Sequence, residues 1–331
     1  MPLHELGYRT WDGHRSSPLL RPLVVARGGI SLVLKSRWLR LGFLLAWLPV
    51  ILPTIGIFLF EYSITNPNLS RGVSNIFRGP LQRPDLAQQV LEDPAGARHE
   101  VWTLFILTFF RYPQLFAMVC LIGLIAPLLV SYDLRTKAYL MYFSRPLSPT
   151  EYIIGKSAVI WFLLGMIVTV PGLALYFVGV LLSPDFSVVP ETWDIPFRIL
   201  GASVVLLVPT TFLAIAYSSL TSENRYATFA WFATWVMGFV SYQILTFSPA
   251  AMADRAPRRR RRGGIDWEEM GIDLDRWRLL SPYHTLGKAE AWVFGLDPTE
   301  GSVIPAMTVL IVVSVASFWL VRRRLIAKLK A

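Results

Sequence analysis

The chain has one cysteine, four histidines and few charges for its 331 residues. A single thiol excludes an internal disulfide and any multi-thiol metal set. Cys120 lies inside an apolar run and reads as a small buried residue. The histidines (His4, His14, His99, His284) are scattered, none falls inside a long apolar window, and there is no HExxH. No metal chemistry or cofactor is expected. Charged residues make up 16%, against about 25% in soluble domains. Hydrophobic residues make up 54%, which places the chain in a bilayer. The formal charge of +10 raises nucleic acid as a partner. It is rejected, because the charges flank apolar runs and do not gather on one soluble domain. A phosphate loop is also missing: Gly155-Lys156-Ser157 imitates its end, but Thr150 stands where the first glycine belongs. The first 40 residues are polar and cationic, so no cleavable signal peptide is expected.

What is present is a set of charge-free windows: Leu41–Phe60, Tyr112–Tyr132, Ser157–Pro184, Ile199–Ser222, Tyr226–Ala253 and Gly301–Val321. Each reaches the roughly 20 apolar residues that a spanning helix needs. The expected fold is therefore an all-α, polytopic bundle of six transmembrane helices (41–321). It is preceded by a cytoplasmic N-terminal segment (1–40), amphipathic from Arg21 to Arg40, and followed by a basic tail (322–331). Gly28-Gly29 should weaken a continuous helix in that segment, and Trp38 suits headgroup depth. Outer loops are expected at 61–111 and 254–300. Val101–Phe110 is too short to span and either extends span two or lies in the interface. Ser281-Pro282 is a helix start, with proline at the first turn.

Six spans put both termini on one side. Inner segments then carry 17 Lys/Arg in 77 residues, outer ones 15 in 112. With Arg322-Arg323-Arg324 directly after the last window, the termini are placed in the cytoplasm. Arg258–Arg262 lies against this bias, but a long loop crosses despite its charge. No window holds a central charge. Proton- and ion-driven carriers place ionisable groups there, so energy is expected from outside the chain. Pro49, Pro53, Pro127, Pro171, Pro209 and Pro305 are kink sites. Thr210, Thr211, Ser218, Ser219, Thr234, Ser241 and Gln243 form a mildly polar strip on spans four and five, facing a pathway or joining helices.

Between spans two and three lies the compact cationic stretch Asp133–Lys156, DLRTKAYLMYFSRPLSPTEYIIGK. Its two prolines break helix, and Thr150 is placed to cap a helix from Glu151. SRPLSPTEYIIGK resembles the stretch SRP-[LIV]-S-x-x-[ED]-Y-[LI]-[LI]-G-K of type-two ABC exporter permeases, with Asp133 matching their upstream acidic residue. Ser218–Phe232 and Ser281–Gly295 look like two further family segments, in the family's order. Permeases of multi-copper-enzyme maturation are among these relatives.

The resemblance implies a permease without enzymatic activity of its own, in the bacterial cytoplasmic (inner) membrane. Its partners would be two copies of a separate ABC ATPase, a second permease copy in a homodimer or heterodimer, and membrane lipid. The ATPase would dock on 133–156. Arg135, Lys137, Arg145 and Glu151 would be polar contacts, and Tyr139, Leu140 and Tyr142 apolar anchors. Pro146 and Pro149 would stiffen the turn, with Asp133, Ser144, Tyr152 and Lys156 completing the coupling set. Two other readings stay open: a non-transporting scaffold that anchors a soluble complex, and a membrane enzyme using His284 and the acids of loop 254–300.

Overall fold

The computed structural model describes residues 20–81, 83–144, 147–255, 274–296 and 302–330. Arg145, Pro146 and Arg258–Arg262 therefore lie outside the described residues, as does most of 1–20.

All regular elements among the described residues are helical. The chain opens with α1 (Arg21–Leu34) and α2 (Arg37–Trp47), then passes a tight turn (Leu48–Val50) into α3 (Ile51–Thr65). Three helices follow: α4 (Pro67–Arg78), α5 (Pro84–Glu92) and α6 (Arg98–Phe109). A π-helical turn (Phe110–Gln114) joins α6 to α7 (Leu115–Leu129). The short α8 (Ser131–Arg135) and α9 (Tyr139–Phe143) lead to α10 (Pro149–Ile167) and α11 (Thr169–Leu182). Then come α12 (Val188–Thr192), α13 (Ile195–Leu220) and α14 (Asn224–Arg255). Last are α15 (Leu274–Arg278), α16 (Pro282–Phe294) and α17 (Ile304–Lys330).

Five continuous helical runs among the described residues are long and apolar enough to cross a membrane: Arg37–Thr65, Arg98–Arg135, Pro149–Leu182, Val188–Leu220 and Ile304–Leu329. The chain is thus an all-helical protein with the makings of a multi-pass integral membrane protein. Five of the six expected windows overlap these runs over most of their length. The other, 226–253, falls in α14.

Prolines set the breaks. Pro49 sits in the turn between α2 and α3. Pro171 cannot donate to the carbonyl of Ile167, where α10 ends. Pro113 sits in the π turn, one of the recognised causes of a bulge or kink.

Several expectations need correction. Gly28-Gly29 does not interrupt α1, because tertiary packing overrides propensity. Gly29 is buried, and a Cβ there would stand 2.5 Å from Val159 of α10. Ser148, not Thr150, caps α10: its hydroxyl accepts from the Glu151 amide while the Glu151 carboxylate accepts from the Ser148 amide. This reciprocal box satisfies two orphan donors at once. The described residues of 61–111 include the end of α3, then α4, α5, α6 and the start of the π turn, so Val101–Phe110 extends the helical run of span two. Beyond Val321, α17 continues to Lys330, so the basic tail is helical through that residue.

The core is one contiguous cluster running the length of the bundle, from Tyr152 and Leu134 at one end to Trp102, Phe109, Phe110 and Phe294 at the other.

Candidate functional site: the loop between spans two and three

The base of the loop is a buried charge cluster. Lys156 Nζ lies 2.7 Å from the Asp133 carboxylate, and the Tyr152 hydroxyl donates to the same oxygen at 2.7 Å. Tyr152 and Lys156 are four residues apart on α10, so both reach one point on its face. Asp133 comes from α8, across the loop. The rings of Tyr142 and Phe143 close over Tyr152, with centroids 5.5 and 5.7 Å away. The Lys156 ammonium sits 5.4 Å from the centroids of both Tyr142 and Tyr152. Burial, with the Asp133 charge added, pushes the Tyr142 phenol above its ordinary value. The helices α8, α9 and α10 are thereby tied into one unit.

The turn between α8 and α9 is tight. Lys137 has φ of 57°, in the left-handed region, and the Ala138 amide donates to the Asp133 carbonyl. This is a helix-terminating motif usually built on glycine. A lysine here indicates that its neighbours hold the turn. Arg135, Lys137, Leu140, Met141 and Ser144 are exposed on the outside of the unit. Arg135 lies over the Tyr132 ring at 5.4 Å.

The expected coupling residues therefore divide. Arg135, Lys137, Leu140 and Ser144 face outward. Asp133, Tyr152 and Lys156 are interior, because a carboxylate and an ammonium out of water need each other and further hydrogen bonds. Tyr139 and Tyr142 are half-buried against the protein's own core. The Glu151 carboxylate is engaged in the cap with Ser148 at the helix start. Pro149 is the first residue of α10.

Two further contacts anchor the unit. The α1 helix lies along α10, where a Cβ on Gly155 would stand 2.8 Å from the Val25 Cβ and 2.9 Å from the Pro22 carbonyl. Glycine is required at this close approach of two backbones. On the other side, the Ser131 hydroxyl donates to the Ser218 carbonyl of α13 at 2.8 Å.

The polar strip on α13 and α14 is used locally. Thr210, Ser218 and Ser219 donate to carbonyls of their own helix. Thr234 pairs with Tyr217 at 2.7 Å, joining α14 to α13. Thr211 is buried with an unpartnered hydroxyl, Ser241 is half-buried and Gln243 is exposed. None of the seven lines either of the two cavities described here. One is an apolar groove of about 490 Å³ between α13 and α17, lined by Val204, Phe212, Ile311 and Phe318 among others. The other is a polar pocket of about 370 Å³ lined by Arg83, His99, Glu100, Thr103, Arg198 and the end of α16.

Sequence reasoning missed the polar cluster at the opposite end of the bundle. Glu61, fully buried, lies 3.2 Å from Arg98 Nε and accepts from Trp102 and Ser183 at 2.8 and 2.9 Å. Arg98 also reaches Glu191, and Asp194 holds both His99 and Arg198. The one sequence signal was that Glu61 and Arg98 flank apolar runs; nothing in the linear order pairs them. His284, required by the enzyme reading, is wedged against the Tyr242 ring at 3.7 Å, with Nδ1 2.9 Å from the Ser281 hydroxyl.

No family model, curated protein or solved structure matches the chain.

Proposed function

We propose that the chain is the membrane-spanning permease subunit of an ABC transporter, an exporter, driven by a separate ATPase that docks on the loop 133–156. The observation that supports this reading most is the build of that loop. Its base is held by the buried Asp133–Lys156–Tyr152 cluster, and its outer surface presents Arg135, Lys137, Leu140 and Met141. A docking element must be stiff to transmit a push, and must keep charge and apolar surface free for its partner. A loop that only connected two spans would need neither.

In this reading α14 supplies a sixth span, the N-terminal segment lies at the cytoplasmic surface of the inner membrane, and both termini are cytoplasmic. Two permease copies stand on two ATPase subunits, and ATP hydrolysis belongs to those partners.

The test is Arg145→Glu in the full chain, expressed with its native membrane. Like charge facing an acidic partner surface is expected to cost several kcal/mol where the contact is desolvated. Insertion should be intact, while copurification of a nucleotide-binding subunit falls together with ATP-dependent transport. Full retention of both would reduce the loop to solvated surface and remove the reading.

A further inference from the structure

Glu290 is the one carboxyl among the described residues that is fully buried with neither oxygen hydrogen-bonded. It lies on α16, on the face that carries Tyr283, Gly287 and Phe294. That face meets the π turn of the long helix Arg98–Arg135: Phe294 packs edge-on against Phe110 at 5.6 Å. Arg111, the next residue of the π turn, lies directly over Gly287. A Cβ on Gly287 would overlap its guanidinium. There the guanidinium stacks on the Tyr283 ring at 3.8 Å and donates to the Tyr283 carbonyl.

Helical spacing gives this arrangement its meaning. Tyr283 is one turn before Gly287, and Glu290 is one turn after it. Residues three or four apart on a helix have Cβ atoms about 5–6 Å apart, and helical side chains lean toward the N-terminus. The Glu290 carboxyl thus leans back toward the place Arg111 occupies. Arg111 stands between two acceptors and is spent on the one that carries no charge.

Other charged and titratable groups on the elements packed against α16 are engaged elsewhere. His99 of α6 and Arg198 of α13 are on Asp194, and Glu100 of α6 is on Arg83. Tyr242 of α14 meets Arg278 and the His284 ring. On α17 the cations begin at Arg322, in its last turns. Tyr112 of the π turn is exposed, and Tyr283 is under Arg111. Arg111 is the charge that acts on Glu290.

A charged carboxylate left dry and unpaired costs many kcal/mol, and such a group takes up a proton instead. We propose that Glu290 is a proton-binding site: its carboxyl holds a proton while α16 is packed as described, and on releasing it to solvent draws Arg111 from Tyr283 into an ion pair. The ligand is a hydron, and the moving part is one guanidinium at a π turn, an element that tends to occur at functional sites. Burial raises the pKa of Glu290 to about 7, and the Arg111 charge acts against that rise. The switch therefore operates near neutrality. It does not depend on the permease reading.

The experiment is infrared difference spectroscopy of the full chain in lipid nanodiscs, titrated from about pH 5 to about pH 9 to bracket the ordinary carboxylate and histidine ranges. A protonated-carboxyl band should disappear with a midpoint near 7, and should be missing in Glu290→Gln. In Arg111→Gln, where Glu290 is intact, the midpoint should move upward, because the opposing cation is gone. This second variant decides the matter even where Glu290→Gln does not fold. An unchanged band in Glu290→Gln, a midpoint in the ordinary carboxylate range of about 4, or a midpoint unmoved by Arg111→Gln would overturn the proposal.

Discussion

Lys156→Met removes the ammonium from the base of the loop while keeping most of the side chain's length and apolar stem. Asp133, 5% exposed, then keeps only the Tyr152 hydroxyl. Lys156 is 3% exposed, so its methionine replacement stays inside and water does not take its place at the carboxylate. Removing one partner of a buried ion pair costs about 3–5 kcal/mol, mostly the penalty of the charge left behind. One kcal/mol moves the melting temperature of a chain of 150–250 residues by roughly 2–4 °C. A fall on the order of 10 °C follows, read by tryptophan fluorescence during heating in detergent. The double variant Asp133→Asn/Lys156→Met removes both charges and keeps an acceptor for Tyr152. It should recover more than half of that loss, since a neutral buried pair lacks the desolvation penalty. Lys137→Met, on the exposed outer surface, should stay within about 0.5 kcal/mol of wild type. Lys156→Met melting together with Lys137→Met, or a double variant less stable than Lys156→Met, would refute the buried Asp133–Lys156 pair.

Two further outcomes follow from packing and titration. Gly155→Leu would drive a side chain into the Pro22 carbonyl and Val25. It should destabilise by about 1–3 kcal/mol, the usual range for overpacking, and expose the α1–α10 seam to limited proteolysis; protease resistance equal to wild type would show that α1 does not lie along α10. His284 is held neutral, its pKa lowered to about 4 by burial and by the Arg111 and Arg278 charges. A depressed histidine contributes stability that is present above its ordinary value near 6.5 and lost as pH falls toward about 4. The melting-temperature advantage of wild type over His284→Phe should shrink across that window, and a difference independent of pH would sink the assignment.

The linear order alone determined that the chain is helical and built for a bilayer. A span must satisfy its backbone internally and its side chains in hydrocarbon, so a charge-free window of sufficient length is a local signal. That is why the windows 41–60, 112–132, 157–184, 199–222 and 301–321 each coincide over most of their length with a long apolar helix. The helix start at Pro282 was legible for the same reason, since a first-turn proline is local chemistry, although the Ser281 hydroxyl makes no cap bond and meets His284 instead.

What the tertiary structure alone decided is which side chains meet. Asp133 and Lys156 read as surface charges because each borders a polar loop. Only the rotation of α10 against α8 turns both inward, 2.7 Å apart. Gly28-Gly29 reads as a weak point until Val159 is brought against it. Glu61 and Arg98 are far apart in the chain, and Glu290 looked like one acid among several in an outer loop. Its burial depends on α16 packing against α13, α14 and α17, and its relation to Arg111 on a π turn that places that side chain over Gly287. Hydrophobic length is summed along the chain, whereas the desolvation and pairing of charge depend on distances between helices, which the order of residues does not carry.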